Sequence, residues 1–272
     1  MKRLKNLVKY LIGGLLNIFC PNIVSKEEDQ HAGRNKRWKK AILFYRSVRA
    51  KNRGDTSGAE DTLHDYWQAD VSNNFYHLYT KRFNDWFLGP HQELIDQMVV
   101  LARDGEYDHL IEVGCGDGRV LEHCAIQIKK ITKFTGIDIN PMIVDANIIR
   151  YADNSALKFI TANAREWLPK NTEGSTLLLT YGGVMEYFSA QSLSIIFSDL
   201  AHKGNCAVAL IEPIDPEHNL STQTESNIFG AENSFSHNYR YLLEQSGFQI
   251  EFEKELELGQ VRWMMILATS IN

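Results

Sequence analysis

The chain has 272 residues, of which 44% are hydrophobic and 23% charged, and its formal net charge is −5. These values are typical of a soluble globular protein that buries a large core without covalent staples. The four cysteines are widely spaced, form no C-x-x-C pair and have no His cluster nearby, which argues against a disulfide framework and against a zinc site. We therefore expect no metal centre and a reducing, cytoplasmic compartment.

The net charge hides an asymmetry along the chain. Residues 1–53 contain fourteen Lys or Arg and three Asp or Glu, a local charge of +11. The remainder contains 15 basic and 31 acidic side chains, a charge of −16. A basic arm on an acidic body indicates either a solvated tail that docks on the body or a segment with its own anionic partner.

The first twenty residues follow an amphipathic pattern that predicts a helix ending at Pro21. Its apolar stretch is too short for a transmembrane span, and Lys9 interrupts it, which disfavours a signal peptide. Two interpretations remain open: a helix lying on anionic lipid, which we favour, or a helix docked on the protein itself. Gly13 and Gly14 are expected to weaken either helix. The apolar positions recur at three- and four-residue steps: Leu4, Leu7, Val8, Leu11, Ile12, Leu15 and Phe19.

Three segments follow from composition. Residues 1–60 are expected to form a basic arm, in which a polar linker with one short helix follows the amphipathic helix. Residues 61–90 are dense in aromatic side chains, which predicts a helical cap that is buried or covers a site. Residues 91–272 alternate between strand and helix patterns and are expected to form the core.

The core predicts an α/β fold with a doubly wound, seven-stranded, mostly parallel sheet. One antiparallel strand comes from a C-terminal hairpin, and the arm adds an N-terminal helical extension. The predicted strands are residues 108–113, 134–139, 157–161, 175–180, 206–211, 248–256 and 261–269. The predicted helices are residues 93–102, 120–128, 143–151, 191–202 and 239–245.

Residues 110–118 (LIEVGCGDG) join the first predicted strand to a helix, where open α/β sheets bind ligands. Glycines at 114, 116 and 118 permit a tight turn and a close approach of backbone to ligand. The spacing is not the G-x-G-x-x-G of dinucleotide folds, because Arg119 occupies the third glycine position. Glu112 and Asp117 disfavour a phosphate and favour a cationic ligand that carries an amino acid group.

The next two strand ends extend this pattern. Asp138 closes the second predicted strand, about twenty residues beyond the glycines, where a carboxylate can accept both ribose hydroxyls of a nucleoside. The third strand is followed by Asn163 and Ala164, whose short side chains and backbone could contact an adenine edge. Three consecutive strand ends therefore offer groups for parts of one nucleoside ligand.

At these residues the chain resembles the class I S-adenosylmethionine-dependent methyltransferases, over roughly residue 89 to the C-terminus. The resemblance implies S-adenosylmethionine as the cofactor, with Glu112 and the loop around its methionine part, Asp138 on the ribose and Ile139 packed on the adenine beside Asn163 and Ala164. The implied loop residues are Gly114, Cys115, Gly116, Asp117 and Gly118.

Residues 179–188 (LTYGGVMEYF) follow the fourth strand and are similar to the G-V-x-E-Y form of small-molecule and sugar methyltransferases. They lack the (D/N/S)-P-P-(Y/F) tetrapeptide of enzymes that methylate base or amide nitrogen. The resemblance implies that Tyr181 helps to hold the methionine end and that Glu186 is an acid–base or positioning group. Glu186 is equally explained as a carboxylate favoured by a helix N-terminus. Tyr76, Tyr79 and Arg82 are candidates for a lid.

We therefore expect an enzyme that methylates an oxygen of a small-molecule or glycan-type acceptor. Residues 1–20 are a candidate for peripheral contact with anionic lipid at the inner face of a membrane. In-line transfer from a sulfonium depends on positioning, with a base only where the acceptor loses a proton. Candidate bases are Glu186, Glu212, Asp215, His64, His77, His91, His218 and His237.

Two alternatives stay open. One is an RNA or protein methyltransferase whose basic arm binds its substrate, although aromatic residues are not interleaved with basic ones as a nucleic-acid platform needs. The other is a protein that binds adenosylmethionine without catalysis, because a fold does not determine a function. The sequence leaves the oligomeric state open.

Overall fold

The computed structural model describes residues 2–24, 32–69 and 82–271. Contacts divide the chain into two compact units. The first unit comprises residues 1–75 and 228–235, and the second comprises residues 76–227 and 236–272.

The described part of the first unit is mainly helical, with α1 (Lys2–Phe19), α2 (Ala32–Arg53) and α3 (Thr56–Gln68). The expectation of a linker with one short helix differs from the structure, because α2 is 22 residues long. Its apolar residues cluster at 41–43 instead of recurring at helical spacing, so the sequence pattern was weak, yet Ala41, Ile42 and Leu43 are all buried.

No helix among residues 2–24, 32–69 and 82–271 is long and apolar enough to cross a membrane.

The second unit contains a seven-stranded sheet in the described residues, with the order β3-β2-β1-β4-β5-β9-β8. The first five strands of the chain pair in parallel, and β9 is antiparallel to both β5 and β8. The predicted sheet with one antiparallel strand is therefore confirmed. The strands are β1 (His109–Val113), β2 (Lys133–Asp138), β3 (Leu157–Thr161), β4 (Thr176–Tyr181), β5 (Ala207–Ile214), β8 (Phe248–Leu258) and β9 (Val261–Ser270).

Helices cover both faces of this sheet. Buried residues of α4 (Gln92–Asp104), α5 (Arg119–Gln127) and α6 (Pro141–Arg150) pack on one face. Buried residues of α7 (Ala164–Asn171), α8 (Ala190–His202) and α9 (Tyr239–Gln245) pack on the other. The doubly wound arrangement is confirmed.

Two short elements were not predicted. Helix α7 is eight residues long, and its cap Asn163 accepts the Arg165 N–H at 3.0 Å. A small hairpin pairs β6 (Asn227–Phe229) with β7 (Ser234–Ser236). Strands of three residues carry too little periodicity to be recognised in a sequence.

Candidate cofactor and acceptor site

The carboxyl ends of four parallel strands meet at one edge of the sheet. The strand order reverses between β1 and β4, which makes this edge the topological switch point where open α/β sheets bind ligands. Val113 pairs with Ile137 on one side and with Thr180 on the other, so the residues that follow these three strands lie in one row. This row contains the polar groups singled out in the sequence.

The glycine loop (residues 114–118) connects β1 to α5 through a tight turn, and its three glycines all have positive φ. Gly118 precedes α5 with φ of 79°, and a Cβ placed there would lie 2.7 Å from the ring of Tyr151 and 2.9 Å from that of Phe159. Only glycine satisfies both the conformation and the space. The loop therefore requires glycine for local reasons as well as for a ligand.

The backbone of the glycine loop is largely used within the protein. The N–H groups of Gly114 and Cys115 donate to the Ile137 carbonyl at 2.8 and 3.0 Å, and the Gly118 N–H donates to the Cys115 carbonyl at 2.9 Å. The Gly116 N–H donates to a carboxylate oxygen, as described below. A loop that binds pyrophosphate instead directs its free N–H groups at the ligand. This loop is therefore poorly suited to a phosphate.

Helix α6 braces the glycine loop through side chains that the sequence analysis did not identify. The buried Asn147 donates from Nδ2 to the Gly116 carbonyl at 2.7 Å. The Tyr151 hydroxyl donates to the Asp117 carbonyl at 3.2 Å, and Arg150 donates to the same oxygen at 3.0 Å. A polar residue in the apolar stripe of a predicted helix was the available signal for Asn147.

Glu112 is a buried carboxylate whose Oε2 has no hydrogen-bond partner among the described residues. Its burial raises its pKa well above the usual value, and the nearby charges of Asp117 and Asp138 raise it further. A cation bound beside it would favour the ionised form. Asp117 forms an ion pair with Arg119 at 3.3 Å. Glu112 has no such basic partner among the described residues.

Asp138 is the last residue of β2 and is buried. Its Oδ2 accepts the Gly116 N–H at 3.1 Å, and its Oδ1 accepts the Asn140 N–H at 2.9 Å. These bonds fix the carboxylate against the glycine loop. Asp138 lies at the carboxyl end of β2 beside the glycine loop, where a carboxylate in an open α/β sheet can receive the hydroxyl groups of a ribose.

The remaining residues of the cofactor prediction lie at the same edge. Ile139 directly follows β2 and is half-buried, as is Asn163, while Ala164 is buried at the start of α7. Asn163 uses its Oδ1 as a helix cap, which leaves its Nδ2 for other contacts. Cys115 is buried, and its burial raises the pKa of its thiol well above the usual value.

The β4 loop (residues 182–188) is held by Glu212 of β5. This fully buried carboxylate accepts the Thr180 hydroxyl at 2.6 Å and the N–H groups of Val184 and Met185 at 2.8 and 3.1 Å. Burial raises the pKa of Glu212 to about 7, against the lowering effect of these hydrogen bonds. With its oxygens engaged, Glu212 is a positioning residue for the loop.

Glu186 lies in the 3₁₀ turn Met185–Tyr187 of the β4 loop and is partly accessible. Its Oε1 packs closely on Gly183, which has φ of 92°, and a Cβ at Gly183 would lie 2.3 Å from that oxygen. The glycine therefore makes room for the carboxylate. Among the candidate bases on this loop, Glu186 has the accessibility that Glu212 lacks.

Tyr181 ends β4 within a cluster of buried rings. Its ring centroid is 4.9 Å from that of Phe87 and 5.6 Å from that of His91, and the His91 ring is 5.3 Å from Trp263. Burial raises the pKa of Tyr181 and lowers that of His91 to about 4. Neither nitrogen of His91 has a partner among the described residues. Both side chains are neutral packing elements beneath the edge.

Two further candidate bases organise the segment after β5. The buried His237 donates from Nε2 to the Phe188 carbonyl at 3.0 Å, so its Nδ1 accepts the Ser226 hydroxyl at 2.7 Å. Burial lowers its pKa to about 3. His218 is buried with Nδ1 at 2.9 Å from the Ser236 hydroxyl, and burial also lowers its pKa. Both imidazoles are engaged in structure.

The other candidates stand apart. Asp215 accepts the Glu217 N–H in a turn at 3.1 Å. His64 belongs to α3 of the first unit. His77, Tyr76 and Tyr79 lie outside the described residues, whereas Arg82 is described and lies over the Trp86 ring at 5.5 Å.

Within the described ranges, no group of three or more His, Cys, Asp or Glu side chains is arranged to hold a metal ion. The four cysteines are free thiols.

Comparison with known proteins gives structural matches only. No protein-family model and no curated protein matches the chain in sequence. The magnesium protoporphyrin IX methyltransferase of Synechocystis PCC 6803 matches with a TM-score of 0.54 and 16% identity, over 78% of this chain and 97% of that chain. The chain has the fold of the class I S-adenosylmethionine-dependent methyltransferases.

Two further structures show the same likeness. An S-adenosylmethionine-dependent methyltransferase of Clostridium acetobutylicum ATCC 824 matches with a TM-score of 0.54 and 11% identity, over 75% of this chain and 100% of that chain. The N-methyltransferase NodS of Bradyrhizobium japonicum WM9 matches with a TM-score of 0.51 and 11% identity, over 68% of this chain and 98% of that chain. At these identities the likeness establishes the fold.

Proposed function

We propose that this protein is an S-adenosylmethionine-dependent methyltransferase that acts on an oxygen of a small-molecule or glycan-type acceptor. The observation that carries the proposal is the chemistry of the glycine loop. The N–H groups of Gly114, Cys115, Gly116 and Gly118 are used within the protein, while Glu112 Oε2 lacks a partner among the described residues and Asp138 is fixed beside it. An acidic loop whose glycine N–H groups are already used suits a cationic nucleoside.

The residues present fit that cofactor. Asp138 is fixed by the backbone N–H groups of Gly116 and Asn140 at the end of β2, where a carboxylate suits the ribose hydroxyls. Glu112 would attract the ammonium group of the methionine part, because its neighbouring carboxylates make the site strongly acidic. Ile139 and Asn163 would contact the adenine.

The ligands of the matching structures agree with this proposal. The Synechocystis enzyme was solved with bound S-adenosylmethionine, and NodS was solved with S-adenosylhomocysteine. The shared fold supports the same cofactor for this chain, although a fold by itself does not fix a reaction.

S-adenosylmethionine supplies an electrophilic methyl group on a sulfonium. This chain's residues then have to hold the acceptor in line and remove a proton where the acceptor is a hydroxyl. Glu212 keeps the β4 loop in place by accepting the N–H groups of Val184 and Met185, and it also accepts the Thr180 hydroxyl of β4. Glu186 on that loop is the carboxylate that would accept the proton.

The β4 loop also favours an oxygen acceptor over a nitrogen acceptor. Its sequence GGVMEYF lacks the polar tetrapeptide with two prolines that the resemblance associates with base and amide nitrogen. Its partly accessible carboxylate suits an acceptor that must be deprotonated, whereas an amine acceptor needs no strong base once it is neutral.

The experiment uses the full chain with S-adenosylmethionine labelled with tritium on the methyl group. The label is followed into the small-molecule, RNA and protein fractions of a cell extract. We expect incorporation into the small-molecule fraction, in products that resist amine-specific cleavage. Label in the RNA or protein fraction would contradict the acceptor class, and no incorporation above that of Asp138→Ala would contradict the reaction.

A further inference from the structure

Helix α1 packs on α2 in the first unit through its glycines. A Cβ at Gly13 would lie 2.1 Å from the Ala41 carbonyl oxygen, and one at Gly14 would lie 3.1 Å from the Tyr45 ring. From the sequence alone these two glycines predict a weakened helix. They instead allow α2 to approach closely, because any side chain at Gly13 would collide with the α2 backbone.

Polar and aromatic side chains complete this contact. The Tyr10 and Tyr45 rings are tilted to each other with centroids 4.9 Å apart. Asn17 Oδ1 accepts the Arg46 Nε–H at 2.7 Å. With 100° per residue, these positions and the two glycines lie on one face of α1. Helix α1 therefore turns its small and polar face toward its own unit.

The large apolar residues of α1 lie on the opposite face and are exposed. We call these eight residues the apolar stripe; it is about 22 Å long at 1.5 Å per residue. A soluble helix ordinarily buries such a face, and a contiguous exposed apolar surface marks an interaction site. The residues, each 45% to 76% exposed, are Leu4, Leu7, Val8, Leu11, Ile12, Leu15, Ile18 and Phe19.

The charged residues in the sequences of α1 and α2 are all basic. Helix α1 contains four Lys or Arg and α2 contains nine, and neither contains Asp or Glu. Lys5 and Lys40 are exposed, and Lys9 is half-buried over the Phe44 ring. An apolar helix face bordered by basic side chains is the pattern that binds an anionic lipid surface.

We propose that α1 docks the protein on an anionic membrane surface by inserting the apolar stripe between the lipid headgroups. Helix α1 lies in the interface, because no described helix is able to cross a membrane. Helix α2 packs on the face of α1 that carries Gly13 and Gly14, and it adds positive charge that is attracted to anionic lipid. The stripe is thus presented by a packed helical unit.

The charges favour lipid over other occupants. A second copy of the chain would bring two basic helix pairs together, and like charges across an interface are unfavourable. A nucleic acid would be attracted by the basic residues but would leave the apolar stripe exposed to water, because its binding is dominated by phosphate contacts. Only an anionic surface with an apolar interior satisfies both features.

The test measures co-sedimentation of the full chain with vesicles of phosphatidylglycerol and phosphatidylcholine, compared with phosphatidylcholine alone. The Leu11→Glu/Leu15→Glu variant changes two residues of the stripe, at 56% and 59% exposure. The matched control is Ile149→Glu/Ile195→Glu, which alters isoleucines of the second unit at 77% and 53% exposure. We expect the stripe variant to lose at least about tenfold in vesicle partitioning, while the control binds like the wild type.

Charge gives a second readout. Lys5→Gln should weaken binding to the anionic vesicles about fivefold, and higher ionic strength should weaken the wild type in the same direction. Equal partitioning of the stripe variant and its control would overturn the proposal, as would absence of wild-type binding. Self-association that only the stripe variant loses would identify a second copy as the occupant. A lower melting temperature of the stripe variant alone would show that the stripe packs on the protein itself.

Discussion

The glycine loop with Asp138 and the β4 loop with Glu212 occupy neighbouring parts of one sheet edge but use their carboxylates differently. Glu112 Oε2 has no partner among the described residues, and Asp138 is fixed beside the glycine loop by backbone N–H groups. Glu212, in contrast, is closed within the protein by Thr180, Val184 and Met185. The Glu112 carboxylate is therefore able to contact a ligand, whereas the Glu212 carboxylate holds the β4 loop in place.

This difference explains why the sequence predicts the cofactor more readily than the acceptor. A ligand site made of a contiguous loop and one strand end can be recognised from a short sequence. The β4 loop presents Glu186 as its accessible carboxylate, and the histidines around it serve as tethers.

The largest expected effect is on the β4 loop. Glu186→Gln should lower kcat by about 10²- to 10⁴-fold, because the acceptor would lose its general base. Affinity for S-adenosylhomocysteine, measured by calorimetry, should not change. The matched control is Glu166→Gln, which removes an exposed first-turn carboxylate from α7. A lower melting temperature with unchanged kcat would assign Glu186 to helix stabilisation instead.

The glycine loop should be intolerant of a single added methyl group. Gly118→Ala is expected to cost about 2–5 kcal/mol of unfolding free energy, from backbone strain and from collision with Tyr151 and Phe159. Gly204→Ala is the control, since Gly204 has φ of 70° and nothing within 4 Å of its added Cβ. Urea denaturation should show a cost of about 1–2 kcal/mol for the control. Equal costs would mean that the rings do not pack against the loop.

Asp138 should contribute to the free energy of ligand binding. Asp138→Ala is expected to weaken S-adenosylhomocysteine binding by about 1.5–3 kcal/mol, the value of hydrogen bonds to a charged group. Asp145→Ala, an exposed carboxylate on α6, serves as the control in the same calorimetric titration. Equal affinities of the two variants would remove Asp138 from the site.

Glu212 gives a smaller effect with a defined pH dependence. Its pKa in the folded protein is about 7, above the value near 4.5 of an unperturbed glutamate, so folding takes up a proton between these values. The contribution of Glu212 to the unfolding free energy of the wild type should therefore decrease as pH rises from about 4.5 to about 7. Glu212→Gln has no such contribution, so the difference in unfolding free energy between the two proteins should change across that window. A constant difference would contradict the raised pKa.

Much of the core could be predicted from the sequence, because its strands are continuous apolar runs between helical patterns. The third strand and helix α9 have the predicted bounds, and the other core strands differ by at most a few residues. Strand β5 continues past its predicted end through Glu212 and Pro213, residues that are unusual in a strand interior. Glu212 is accommodated because it has hydrogen-bond donors around it.

The missed features depend on contacts that a sequence does not display. Helix α2 has a short block of apolar residues in place of helical periodicity, so neither its length nor its close approach to Gly13 follows from the sequence. Gly13 and Gly14 would weaken an isolated helix, whereas in a close helix pair they allow the second helix to approach. Asn163 was interpreted as a ligand contact, and its role as the cap of α7 follows from the same residue type. Its contact with adenine stays a prediction.

Calorimetry of the wild-type chain with S-adenosylhomocysteine and, separately, with NAD decides which nucleoside ligand this sheet edge binds. We predict saturable binding of S-adenosylhomocysteine and no binding of NAD, because Gly114, Cys115, Gly116 and Gly118 already use their N–H groups within the protein. Binding of NAD, or no binding of S-adenosylhomocysteine by the folded protein, would contradict this prediction.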